Sequence, residues 1–273
     1  MNTNISVLMS LYKKENPKFL RESLNSILSQ TLLPQEIVII LDGPITADLQ
    51  NVLNDFMLKK PDLFRILPQK SNKGLGISLA IGVNACKNEL IARMDTDDIM
   101  VTSRLKMQVQ QFIDDSNLSI CGGNITEFTG SIDNVLGHRN VPETNEEIRY
   151  YSRKRNPFNH MSVMFKKSRV IDAGNYLTMN GFEDYYLWAR MLKSGNKSYN
   201  IPKNLVFART GTNMYRRRGG WKYLKDGVRG RYYICRAGLS TPVDFIFVES
   251  VHIIISLLPN KLRQWFYETK LRN

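Results

Sequence analysis

A chain of 273 residues with 38 Lys/Arg against 25 Asp/Glu carries a formal net charge of +13 and an apolar share of 42%. That is long enough for one large α/β domain with an extension, and the composition excludes disordered, collagen-like and coiled-coil readings. Cys86, Cys121 and Cys235 are widely spaced with no CxxC pair, and His138, His160 and His252 are scattered, which argues against a disulfide scaffold or a zinc site and fits a reducing compartment.

The opening MNTNISVLMS has no basic leader and too short an apolar run for a signal peptide, so none is expected. Within it ISVLMS reads as a first strand. NPKFLRESLNSILSQT follows, with Asn16 placed to cap a helix, Pro17 in its first turn, and Phe19, Leu20, Leu24, Ile27 and Leu28 at helical spacing. EIVIIL (36–41) is a continuous apolar strand ending at Asp42-Gly43. A second amphipathic helix then carries Leu49, Val52, Leu53 and Phe56. LFRIL (63–67), a helix over about 76–87 and the strand ELIARM (89–94) continue the rhythm.

Apolar strands alternating with helices predict a parallel sheet covered on both faces, with ligands bound beyond the carboxyl ends of the strands. Polar clusters stand at three such ends: Ser10–Tyr12, Asp42-Gly43 and Asp95–Asp98. Beyond them, Thr102 is expected to cap a helix running to Asp114, and LSICGG (118–123) to form another buried strand. The pattern loosens into strands and loops over 124–180, and FEDYYLWARMLKSG (182–195) reads as a helix closed by Gly195. A soft boundary falls near 210, giving a domain over 1–210 (halves 1–100 and 101–210) and an extension over 211–273.

The acids of IARMDTDDIM raise the question of what neutralises them. Alternation along a strand would send Asp95 and Asp97 to one side and Thr96 to the other. Two such carboxylates suit Mg²⁺ or Mn²⁺ shared with substrate phosphates. A helix cap or a turn former is the competing role for Asp98. Arg93, on the same side of the strand as Asp95, could pair with it or meet a phosphate.

ISVLMSLY, EIVIILDG, NKGLG and ELIARMDTDD, in this order, resemble the nucleotide-binding half of inverting glycosyltransferases of family 2, which have the GT-A fold: a mostly parallel, helix-covered α/β sheet. GFEDYYLWARMLKSG resembles the family's second signature. The resemblance spans about residues 4–210. It implies a UDP-sugar donor site in which Ser10, Leu11, Tyr12 and Asp42 line the uracil and ribose pocket. Asp95 and Asp97 would face ribose, diphosphate and metal, with Thr96 among the UDP-sugar-binding residues. The family's Arg or Asn in the helix after NKGLG is replaced here by Leu79-Ala80-Ile81, which leaves Asn72 and Lys73 as candidates to meet the nucleotide. Asp184 would be the general base, with Glu183 the other candidate. A base separate from the metal acids is also what the chemistry demands, since an attacking hydroxyl must lose a proton. His160 is expected to be a hydrogen-bonded structural residue, and Trp188 to be core.

The basic excess is local: Lys203 to Arg236 holds ten Lys/Arg and one acid, Asp226. PVDFIFVESVHIIISLLP (242–259) is too polar for a plain transmembrane helix. It groups Asp244, Glu249, His252 and Ser256 on a narrow helical arc, which suits a helix in a membrane interface or one packed on the domain. Lys261, Arg263, Lys270 and Arg272 add charge beyond it. Together with Arg216, Arg217 and Arg218, this points to an anionic membrane surface or the phosphates of a lipid-diphosphate-linked sugar. An ordinary docked helix and a homodimer surface form the competing reading. The expectation is therefore a metal-dependent hexosyltransferase, cytoplasmic and peripheral on the inner face of the cell membrane, that moves galactose or glucose from a UDP-sugar to a polyprenyl-diphosphate-linked acceptor. The resemblance is to bacterial enzymes of surface polysaccharide biosynthesis. The alternatives are a sugar-phosphate nucleotidyltransferase, for which MSLYKKENP is a poor match, and a basic nucleic-acid-binding protein. The latter leaves the acids unexplained and lacks a base-reading motif, so no nucleic-acid partner is expected.

Overall fold

The computed structural model describes residues 3–210 and 221–257; Arg216, Arg217, Arg218, Lys261, Arg263, Lys270 and Arg272 lie outside them. β1 (Ile5–Leu11), β2 (Glu36–Leu41), β3 (Phe64–Pro68) and β4 (Leu90–Arg93) pair in parallel in the order β3-β2-β1-β4. Successive residues bury on opposite faces, as strand alternation requires. Val7, Met9, Leu11, Ile37 and Ile39 meet α1 (Pro17–Leu28) and α2 (Ala47–Lys59), while Leu8, Val38 and Ile40 meet α3 (Leu75–Ala85). The continuous apolar runs exist because both faces are covered. Asn16 does cap α1, accepting from the Lys18 N–H, and Thr46 caps α2.

Beyond β4 the sheet changes character. β8 (Met164–Lys166) runs antiparallel to β4, and β6 (Leu118–Thr129) runs antiparallel to β8 and parallel to β9 (Lys197–Arg209). The two-residue β5 (Ile99–Met100) pairs with β9. The predicted strand 118–123 is thus the first half of a twelve-residue strand. It turns at Thr129-Gly130 into β7 (Ser131–Arg139), Gly130 supplying φ +67°. The loose region also folds α5 (Asn145–Tyr151), which carries a Thr144/Glu147 capping box, and the short α6 (Lys167–Asp172).

Thr102 is not the cap of α4 (Arg104–Asp114). The residue before that helix is Ser103, without a side-chain cap, and the Thr102 carbonyl is bound instead by the Thr31 N–H. Packing of the α1 exit against this turn overrides the local capping signal. α7 (Glu183–Lys193) ends as expected, Gly195 adopting φ +81° just past it. Its Trp188 is wholly buried, edge-on to Phe158, His160 and Tyr176. α8 (Trp221–Arg236) and α9 (Pro242–Leu257) pack on each other, and α8 packs on α7.

Candidate active site

The carboxyl ends of β1, β2 and β4 open into a cleft of about 900 Å³. Ser10, Tyr12, Asp42, Asn72, Asp95, Thr96 and Asp97 line it, as the positions of the strand ends require. Leu11 belongs to the core with no exposed surface, so its side chain is turned away from the cleft. The Lys73 side chain is exposed and does not line it either.

Asp42 is only 5% exposed, and its carboxylate is occupied. Oδ1 accepts from the Lys73 N–H (2.7 Å) and Oδ2 from the Gly74 N–H (3.1 Å). The Asn72 side chain donates to the Asp42 carbonyl. Asp42 therefore clamps NKGLG to the end of β2. Gly43 makes the close approach possible: it sits at φ +88°, and a Cβ there would lie 2.7 Å from the Asn72 nitrogen. The clamp fixes the start of α3, whose Gly74 and Leu75 line the cleft with no side chain capping the helix. The uncapped start of this helix thus borders the cavity, a position that favours anions.

The acids of 95–98 do not lie on a strand. β4 ends at Arg93, and the chain bends after the Met94 N–H bonds the Leu8 carbonyl. Period-two alternation no longer holds there, so Thr96 does not point away: it lines the cleft beside Asp95 and Asp97. Each acid is neutralised differently. Asp95 forms an ion pair with the buried Arg93 (2.5 Å). Asp98 is buried, its Oδ1 accepting from the Arg209 N–H (2.7 Å), and burial with the neighbouring acids pushes its carboxyl well above the usual range. It pins the end of β9 and does not cap a helix.

Asp97 is pushed up to about 7 by burial and by the charges of Asp95 and Glu15. Glu15, absent from the sequence-based candidates, accepts from Thr96 Oγ1 (2.7 Å) and lines the cleft. Besides the occupied Asp42, the carboxylates of Glu15, Asp95 and Asp97 thus gather on one side of the cavity with Arg93 paired to one of them, a local concentration of acid that a divalent cation would relieve. Among the described residues no group of three or more His, Cys, Asp or Glu converges to hold an ion by itself. The donor set fits a metal completed by oxygens of a phosphorylated ligand.

Arg209 was likewise invisible in sequence, one arginine in a basic stretch with no motif around it. It ties the cleft's far wall together: Nε donates to the Asp97 carbonyl (3.0 Å), Nη1 to the Gly130 carbonyl (3.0 Å), and the guanidinium pairs with Glu22. It also lies 3.9 Å from the Phe19 ring centroid and 4.6 Å from that of Phe128. One side chain thereby joins α1, the acidic bend and the β6–β7 hairpin.

Glu183 and Asp184 open α7 outside the cleft lining but next to it. A Cβ at Gly76, one residue beyond cleft-lining Leu75, would lie 2.9 Å from Glu183 Cγ. Burial, with the charge of Asp184 adding to it, pushes Glu183 up to about 7. Burial also raises Asp184, whose Oδ2 accepts from Asn156 Nδ2 (2.7 Å). His160 Nε2 meets the Tyr176 hydroxyl (3.1 Å), and Tyr176 lies within the fields of Arg93, Asp184, Asp95 and Glu183. Burial and the Arg93 charge hold the His160 pKa well below its ordinary value, so it remains a neutral hydrogen-bonded residue.

Comparison with known proteins gives the site its context. Residues 6–176 match the family model described as glycosyl transferase family 2. The amylovoran biosynthesis glycosyltransferase AmsE of Erwinia amylovora is 35% identical over 266 residues, 96% of this chain and 97% of its own. An Escherichia coli protein named UDP-Gal:alpha-D-GlcNAc-diphosphoundecaprenol beta-1,3-galactosyltransferase is 34% identical over 276 residues, 98% and 96% of the two chains. Among solved structures, the mannosyltransferase PcManGT of Pyrobaculum calidifontis, described as a complex with GDP-Man and Mn²⁺, superposes with a TM-score of 0.64. It is 13% identical, covering 95% of this chain and 71% of that one. That likeness bears on the fold, which is the expected GT-A arrangement.

Proposed function

This chain belongs to glycosyl transferase family 2, and from that membership we propose that it is an inverting, metal-dependent hexosyltransferase using a UDP-sugar, galactose or glucose, and a lipid-diphosphate-linked sugar as acceptor, in surface polysaccharide biosynthesis. The observation that carries the reading is the pairing of an electron-rich cleft at Asp95 and Asp97 with a second acidic pair, Glu183 and Asp184, beside its α3 edge. The two full-length relatives, one named for an exopolysaccharide and one for UDP-Gal and an undecaprenyl-diphosphate sugar, supply the substrate classes.

In this reading the donor lies along the cleft, its nucleotide toward Ser10, Tyr12 and Asn72. Its diphosphate faces Asp95, Asp97 and the uncapped start of α3. Mn²⁺ or Mg²⁺ held by Asp95 and Asp97 would supply positive charge for the departing diphosphate. Asp184, oriented by Asn156, takes the proton of the acceptor hydroxyl as that oxygen forms its bond to the anomeric carbon. The anomeric bond to phosphate breaks on the opposite side, UDP leaves and the configuration inverts. Glu183 would hold the acceptor. Its pKa, pushed up to about 7, suits a group that exchanges protons near neutrality, and burial raises that of Asp184 above the usual carboxylate value. Arg216, Arg217 and Arg218 are proposed to hold acceptor phosphates, with the enzyme peripheral on the cytoplasmic face of the membrane.

The test is a donor panel of UDP-, GDP- and dTDP-sugars with Mn²⁺, Mg²⁺ or chelator, with and without a lipid-diphosphate N-acetylhexosamine. Acceptor-stimulated release of UDP that chelator stops is the expected result. Metal-independent turnover, or preference for another nucleotide, would overturn the proposal.

A further inference from the structure

Helix α9 is built inside out for a helix on a water-soluble surface. Its two carboxylates and its histidine face the protein: Asp244, Glu249 and His252 are each 6% exposed. Asp244 accepts from Arg153 Nε (2.9 Å) and Nη2 (2.7 Å) and from the Thr241 hydroxyl (2.7 Å). Glu249 accepts from Arg231 Nη1 (3.0 Å) and meets His252 Nδ1 (3.3 Å). The outward residues are apolar except Ser250, whose hydroxyl donates back to the Ile246 carbonyl (2.9 Å): Val243 is 76% exposed, Ile246 63%, Phe247 59%, Ile253 41% and Ile254 63%. Val243, Ile246 and Phe247 follow the i, i+3, i+4 spacing, Ser250 takes i+7, and Ile253 and Ile254 carry the face on at i+10 and i+11, a stripe about 17 Å long. A soluble helix normally puts its apolar stripe inward, and a contiguous exposed one marks an interaction surface.

The flanks of the stripe are cationic. Lys154 Nζ sits 5.3 Å from the Phe247 ring centroid. On the neighbouring α8, Lys222, Lys225, Arg229, Tyr232 and Arg236 recur at helical spacing, and all are exposed. The Tyr232 ring contacts Phe245 at 6.5 Å, so this basic row borders α9. No acid is fully exposed on the described part of either helix: Asp226 is half-buried, and Asp244 and Glu249 are buried. Among the described residues no helix is long and apolar enough to cross a membrane.

We infer that the α8–α9 pair is a lipid-docking surface: the α9 stripe enters the headgroup region of an anionic bilayer while the α8 cations face its phosphates. The inference rests on the peripheral placement proposed above and gives it a surface. It also gives that surface a purpose. Phe182, the residue before Glu183, packs against α8, where a Cβ at Gly230 would come within 2.4 Å of its ring and Arg231 lies 5.3 Å from its centroid. The docking pair therefore packs against the residue that precedes the acids proposed to receive a lipid-linked acceptor.

The test is co-sedimentation of the full chain with vesicles of phosphatidylcholine alone or mixed with phosphatidylglycerol. Binding to the mixed vesicles is expected, falling about tenfold or more when Ile246→Gln, Phe247→Gln and Ile254→Gln are combined. Replacing Lys222, Lys225 and Arg229 by Gln should remove the preference for the anionic vesicles. Thermal midpoint and turnover of a detergent-soluble acceptor report the fold and the active site separately. Lost vesicle binding with both retained bears out the surface. Equal binding by wild type and the triple Gln variant overturns it, as does absence of wild-type binding or a lipid-free dimer that the variant converts to monomer. Wild type that binds vesicles but turns over no sugar substrate would strike the transferase reading and leave this one standing.

Discussion

Replacing Asp42 by Asn separates a structural clamp from a ligand contact. The side chain keeps its shape but exchanges one accepting oxygen for an NH₂ group, which then faces a backbone N–H it can only oppose. Asp42 now accepts from Lys73 and Gly74 at 2.7 and 3.1 Å in a buried setting. Loss of one such charge-assisted bond costs about 1.5–3 kcal/mol. For a chain of this size each kcal/mol moves the thermal midpoint by about 2–4 °C, so Asp42→Asn should melt about 3–12 °C below wild type. The freed Asn72–Leu75 loop also forms a wall of the cleft, so UDP affinity should fall with it, by about tenfold for each 1.4 kcal/mol spent reordering the loop. Differential scanning fluorimetry and calorimetric titration with UDP and Mn²⁺ measure the two effects. A midpoint within about 1 °C of wild type, whatever happens to UDP affinity, would refute the clamp, because a side chain that only touched ribose would leave the empty protein's stability unchanged.

Asp184→Asn should retain UDP binding while transfer falls by about 10²–10⁴-fold, the usual contribution of a positioned base; undiminished transfer would move the role to Glu183 or another group. Glu183 has a folded-state pKa raised from 4.5 to about 7, so between those values the native protein binds more protons than the unfolded chain and loses stability as pH rises. Glu183→Gln should therefore melt higher than wild type at about pH 8 and the same near pH 4.5, and an equal difference at both would show that charge is not the cause. Asp97, protonated below about 7 in the metal-free protein, should make Mn²⁺ affinity in the presence of UDP drop up to about tenfold per unit of acidification below that point. Asp97→Ala should abolish both metal-dependent UDP binding and transfer, and a pH-independent Mn²⁺ affinity in wild type would argue against Asp97 as a ligand.

The first hundred residues were legible because their signals are local. β1, β2, α1 and α2 follow from apolar runs, helical spacing and the cap at Asn16, which depend on neighbours within a few residues. The order of strand ends was enough to bring Ser10, Tyr12, Asp42 and Asp95 to one cleft. Reading failed where a residue's partner is distant. Thr102 carries the composition of a cap, yet its carbonyl is held by Thr31 and the helix begins later. Glu15 and Arg209 bear no motif; they matter because the fold brings one to Thr96 and the other to the Asp97 carbonyl and Gly130.

By itself, then, the sequence determined which segments are strands and helices in the donor half, which acids are candidates, and the family to which they belong. Only the tertiary structure decided what each acid does. Asp42 holds a loop, Asp95 pairs with Arg93, Asp98 pins β9, and Asp97 faces the cleft with a pKa near neutrality. It also decided that the polar arc of α9 faces inward, because Arg153 and Arg231 wait there to receive it. The physical reason is the same in each case. Backbone preference and apolar periodicity are properties of a few consecutive residues, whereas burial, ion pairing and the charge state they impose are set by side chains that arrive from other elements.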